Sequence, residues 1–103
     1  MDIKRDSFTK LVNSTEPVLV DFSADWCGPC KMLSPILKQL HEKVNGKVKI
    51  IKIDVDRNPS LSDKFKVQSV PTLILFRNGE IVWRQSGVVP LNTLEKTIQN
   101  FIQ

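Results

Sequence analysis

Three features of the sequence predict an α/β fold built on a mixed sheet. Apolar runs rich in β-branched residues fall at 17–23, 48–55 and 72–76; stretches with helical apolar spacing lie between them; and Asn78-Gly79 joins two apolar runs as a hairpin step. The 103 residues suit one domain over 1–103, with one core and one site. Hydrophobic residues at 41% and charged residues at 25% exclude the low-apolar, high-charge composition of disordered chains.

From the amino terminus, Phe8, Leu11 and Val12 mark a short helix, with an edge strand expected before it at Ile3. Pro17-Val18-Leu19-Val20-Asp21-Phe22-Ser23 has the pattern of a strand buried on both faces. After the tight Trp26-Cys27-Gly28-Pro29-Cys30, the residues Met32, Leu33, Ile36, Leu37, Leu40 and Val44 recur at helical spacing. A helix therefore opens at the cysteine pair and closes near Asn45-Gly46. Pro35 falls inside it and should kink the axis, because it removes a backbone hydrogen bond.

Residues 48–55 read as a second central strand, and Asn58-Pro59 starts a short helix carrying Leu61 and Phe65. This βαβ alternation favours parallel pairing. Beyond Val70-Pro71, strands at 72–76 and 81–86 pair antiparallel across Arg77-Asn78-Gly79-Glu80. Pro90 opens a last helix on which Leu91, Leu94, Ile98, Phe101 and Ile102 share a face. The sum is a central mixed sheet, mostly parallel with an antiparallel carboxyl-terminal hairpin, flanked by about four helices.

Fifteen Lys and Arg against eleven Asp and Glu leave a net charge of +4, and no window concentrates the basic residues as a nucleic-acid patch does. The opening Met1-Asp2-Ile3-Lys4-Arg5-Asp6 lacks the apolar core of a secretory signal, and no stretch approaches the roughly 18 apolar residues of a membrane span. A cytoplasmic monomer that binds neither nucleic acid nor membrane is expected.

The two cysteines stand three positions apart, and a bond closing so short a loop constrains the unfolded chain little, so chemistry is a better reason for them than stapling. A zinc site needs more ligands than this pair offers, and the single histidine, His41, lies about three helical turns beyond Cys30. No metal is expected. A helix amino terminus presents unpaired N–H donors and a positive dipole end, which stabilise a thiolate and lower the pKa of Cys27. Cys30, inside the first turn, is expected to be less accessible and placed to attack a mixed disulfide formed by Cys27. Gly28 lets the backbone turn tightly, and Pro29 has no N–H to leave unpaired there.

The run Trp26-Cys27-Gly28-Pro29-Cys30-Lys31 resembles the active-site signature of thioredoxins. The likeness extends through nearly the whole chain. Val18-Leu19-Val20-Asp21-Phe22 is similar to the family's central strand, Pro35 to the proline of its kinked helix, and Val70-Pro71-Thr72 to its cis-proline loop; Lys52, Asn78-Gly79 and Gly87 also fall where the family has them. Ser23 stands where many members carry an aromatic residue and others a small one, a difference that bears on local packing and not on dithiol chemistry.

Asp21 is a carboxylate in an apolar strand, where burial raises its pKa and suits it to proton exchange. A structural hydrogen bond, or an ion pair with Lys52 among its isoleucines, is the alternative. The resemblance implies that Asp21 assists deprotonation of Cys30 and that Lys52 modulates its charge. It also implies a cis bond before Pro71, leaving the Val70 backbone free to pair with an extended substrate, whereas the residues alone admit an ordinary strand-start proline. Trp26, Gly28, Pro29, Val70, Pro71 and Gly87 would then form a weakly polar surface around Cys27, with core packing the alternative for Trp26. Trp83 reads as hairpin packing and His41 as a solvated surface residue.

The thioredoxin fold so implied acts as a general protein-disulfide reductase. It holds no bound cofactor, and its electrons come from NADPH through thioredoxin reductase. Its partners are that reductase and disulfide-containing proteins. Two alternatives stay open: a thiol oxidase or isomerase of an oxidising compartment, and a non-catalytic binding module on the same fold.

Overall fold

Strand β1 (Val18–Ser23) is buried along its whole length, and its side chains alternate between two apolar layers. Val18, Val20 and Phe22 face one layer, while Leu19 faces the other. The structure, a computed structural model, describes residues 5–102; the edge strand expected at Ile3 lies outside the described residues. Around β1 are α1 (Arg5–Val12), α2 (Gly28–Lys43), β2 (Lys49–Asp54), α3 (Pro59–Lys64), β3 (Thr72–Arg77), β4 (Glu80–Ser86) and α4 (Leu91–Gln99). Among the described residues no helix is long and apolar enough to cross a membrane.

The described strands form one mixed sheet in the order β2-β1-β3-β4. Strands β1 and β2 are parallel, with Val18 opposite Lys49 and Ser23 opposite Asp54. Strand β3 runs antiparallel to β1, with Phe22 opposite Thr72, and β4 antiparallel to β3. Among the described strands one pair is parallel and two are antiparallel, so the described sheet is mixed but not mostly parallel, which corrects the expectation. The cause lies in the connection from β2 to β3. Helix α3 has six residues and rises about 9 Å, against about 20 Å for a six-residue strand, so it does not carry the chain back along the sheet. Strand β3 consequently starts at the end where β1 and β2 finish, and this brings Val70-Pro71 to the end of the sheet that carries the cysteines.

The sheet divides the core in two. Leu33, Leu37 and Leu40 of α2 and Leu94 and Ile98 of α4 pack on Leu19, Leu73 and Leu75, with Trp83 half-buried against them. On the other face, Phe8 and Val12 of α1 and Leu61 of α3 pack on Val20, Phe22, Ile74 and Phe76. Phe65, just past α3, closes that layer with its ring centroid 5.5 Å from Phe8 and 5.3 Å from Phe76. Helix α2 runs on through Pro35, which sits at its exposed surface, and ends where Asn45 and Gly46 take φ of 52° and 71°. His41 is exposed, as expected.

Candidate active site

Cys27 is the N-cap of α2, and its sulfur accepts a hydrogen bond from the backbone N–H of Cys30 at 3.1 Å. The free amides of a helix start find an acceptor in that sulfur, which is what an N-cap side chain does. A disulfide joins Cys27 to Cys30 across a Cα separation of 5.3 Å. The two cysteines are 3% and 2% exposed, so exposure does not set Cys30 apart as expected. What distinguishes them is the amide hydrogen bond, which only Cys27 receives. Gly28 and Pro29 are exposed between them.

The neighbouring strand end supplies the second wall. The Val70-Pro71 bond is cis, Pro71 is buried, and Val70 packs against Ala24, Cys27 and Cys30. Gly87, with φ of 89°, donates its N–H to the Pro71 carbonyl at 2.9 Å and ties the end of β4 to this loop. Thr72 Oγ1 donates to the Ser69 carbonyl at 2.7 Å and lies 3.1 Å from Ser86 Oγ. Trp26 does not enter the core. Its ring is 71% exposed, and Nε1 donates to Asp56 Oδ2 at 2.8 Å. Together Trp26, Val55, Val67, Gln68, Ser69 and Val70 line an apolar groove beside the dithiol.

Asp21 and Ser23 point to the α2 side of β1, on the same face as Leu19. Asp21 is 2% exposed, and neither its Oδ1 nor Ser23 Oγ has a protein hydrogen-bond partner. Burial pushes the Asp21 carboxyl up to about 6 from its usual 3.8, with the Lys52 charge pulling the other way. Lys52 stands opposite Asp21 in the parallel register, but its side chain is exposed and not embedded among the isoleucines, because β2 is the outer strand of the described sheet. Among the described residues no group of three or more His, Cys, Asp or Glu could hold a metal.

All ten expected site residues thus gather at one end of the sheet or directly beneath it. Sequence reading missed Asp56, whose bond to Trp26 spans thirty residues; the only signal was its place just after a strand. It also read Ser23 as packing alone, whereas its hydroxyl shares a buried face with the Asp21 carboxyl.

The thioredoxin family model matches residues 1–100. The chain belongs to the thioredoxin family. It is 47% identical over 92 residues to a thioredoxin of Haemophilus influenzae, covering 89% of this chain and 86% of that protein. To a thioredoxin of Porphyra purpurea it is 42% identical over 93 residues, covering 90% and 87%. Among solved structures, a mutant thioredoxin from Halobacterium salinarum superposes with a TM-score of 0.90 at 35% identity, over 99% of this chain and 88% of that one. The fold is the thioredoxin fold, and the Cys27-Cys30 pair makes the chain a dithiol–disulfide reductase. Thioredoxins carry out that chemistry without a bound cofactor.

Proposed function

We propose that the chain is a general protein-disulfide reductase in which Cys27 attacks and Cys30 resolves. The observation that carries this assignment is the Cys30 N–H aimed at Cys27 Sγ at the start of α2, which stabilises a negative sulfur there and nowhere else in the pair. The Cys27 thiolate attacks one sulfur of a substrate disulfide, forming a mixed disulfide and releasing the other sulfur as a thiolate. Cys30, deprotonated, then attacks Cys27 Sγ; the Cys27-Cys30 bond forms, the mixed bond breaks, and two electrons have passed to the substrate. Asp21 takes the Cys30 proton, a role suited by a carboxyl at about 6 that is mostly ionised at neutral pH yet still basic. Lys52, facing it in register, moderates that carboxyl.

Substrates lie across Trp26, Gly28, Pro29, Val70, Pro71 and Gly87, pairing with the Val70 backbone in extended conformation. We assign re-reduction of the pair to thioredoxin reductase drawing on NADPH. The reading is of a cytoplasmic monomer acting as one domain, with disulfide-containing proteins and the reductase as its partners.

The test is insulin disulfide reduction driven by dithiothreitol. Cys27→Ser should abolish turnover, and Cys30→Ser should accumulate a covalent mixed disulfide visible on a non-reducing gel. Full turnover by either variant overturns the roles. Titration in glutathione buffers separates reductase from oxidase: a strongly reducing potential fits the reductase, and an oxidising one rejects it.

A further inference from the structure

Arg84 lies on β4, the outer strand beyond β3, opposite Ile74 in register. It therefore emerges on the face covered by α1 and α3 and not on the face of α2. Its guanidinium donates through Nη1 to the Phe65 carbonyl and through Nη2 to the Lys66 carbonyl at 2.8 Å. These two carbonyls stand where α3 has ended, and Lys66 turns the chain away with φ of 54°. The amides at that turn are already engaged, since Phe65, Lys66 and Val67 donate back to Leu61, Asp63 and Ser62. The last carbonyls of a helix need donors from elsewhere, and a planar fork reaches two neighbouring ones at once.

The residues that follow at once are Val67, Gln68, Ser69 and Val70, the outer wall of the groove beside the dithiol. The far end of this wall is held by Thr72 Oγ1 on the Ser69 carbonyl and by Gly87 N–H on the Pro71 carbonyl. Its near end is held by Phe65 in the aromatic layer and by the Arg84 fork.

We infer that Arg84 is a positioning residue for protein substrates, fixing from outside the active site the loop against which an extended substrate lies. This rests on the proposed pairing of substrate with Val70. A protein disulfide must engage the Val67–Val70 wall as well as Cys27, whereas a small disulfide needs only the sulfur. Loss of the fork therefore weakens the first reaction and spares the second. Lysine has one ammonium where arginine has a fork and cannot hold both carbonyls in the same geometry.

The test compares reduced wild-type chain, Arg84→Ala and Arg84→Lys in single turnover, with insulin and with a small aromatic disulfide. Arg84→Ala should slow insulin reduction about three- to tenfold, the factor that matches the net worth of one hydrogen bond, and leave the small disulfide within about twofold. Arg84→Lys should fall between the two. Equal loss on both disulfides, or none on either, overturns the inference. Amide hydrogen exchange at Val67, Gln68, Ser69 and Val70 locates the fault. Unchanged exchange means that Arg84 does not hold the loop. Faster exchange with unchanged insulin reduction means that the loop is held but substrates do not lie on it, which rejects the pairing at Val70.

Discussion

Asp21 shows how one buried group couples chemistry to stability. Its carboxyl titrates near 3.8 in the unfolded chain and at about 6 in the folded one, so the folded chain holds the proton more tightly. Stability therefore falls as pH rises from about 4 to 6, and above that the ionised group costs about 2 kcal/mol, with roughly two pKa units at 1.36 kcal/mol each setting an upper bound of about 3 kcal/mol. Asp21→Asn should raise stability by about 2 kcal/mol at pH 7 and by little at pH 4, read from urea unfolding at both values. A gain independent of pH would show that relief of packing, not of charge, is responsible. The same variant should slow insulin reduction at pH 7 if Asp21 takes the Cys30 proton as proposed, and an unchanged rate would reject that role. Cys27, Gly28, Pro29 and Cys30 were legible in the sequence because they are contiguous and their purpose follows from a helix start. The partners of Trp26 and Arg84 were not, because they lie thirty and eighteen or nineteen residues away and depend on how the sheet folds up. The exposure of Lys52 was not legible either, because an apolar run does not say which strand is outermost.

Helices and strands were more legible than side-chain partners, since each carries its own periodicity and punctuation. The apolar spacing of α2, the Asn-Gly step before β4 and the proline starts of α3 and α4 all fall where expected. The direction of β3 did not, because it depends on whether a six-residue helix crosses the sheet, and no local pattern encodes that. The β3–β4 turn is the sharpest case of local encoding. Asn78 and Gly79 have φ of 54° and 78°, both left-handed as a two-residue hairpin requires. Their amides donate to Ser14 at 2.8 Å and Val12 at 3.0 Å, so the turn also anchors the end of α1. A Cβ at position 79 meets only Asn13, at 3.6 Å or beyond, so strain in φ and not crowding sets the cost. Gly79→Ala should destabilise by about 1 kcal/mol, a fall in Tm of about 4–8 °C, while Asn78→Gly should change Tm by less. A larger drop for Asn78→Gly, read by thermal unfolding, would contradict this ordering.

At the scale of the whole molecule, the sheet carries an apolar layer on each face, as helices on both of its sides require. Ile98 belongs to the layer under α2 and α4, and Ile74 to the layer under α1 and α3. Ile98→Val and Ile74→Val should each cost about 0.5–1.5 kcal/mol and add to within about 0.5 kcal/mol in the double variant. A coupling above about 1 kcal/mol in denaturant unfolding would mean that the sheet transmits strain between its faces. The sheet also has two unlike ends. The end where β1 and β2 finish carries the dithiol, the cis Val70-Pro71 bond and the groove; the end where they begin carries the turns at Asn45-Gly46 and Asn78-Gly79, about 20 Å away along a six-residue strand. Exposed Lys47 stands at that second end. A solid support or an electrode joined there would leave the dithiol end of the sheet, with exposed Trp26, Gly28 and Pro29, turned toward solution, the orientation an immobilised reducing layer needs.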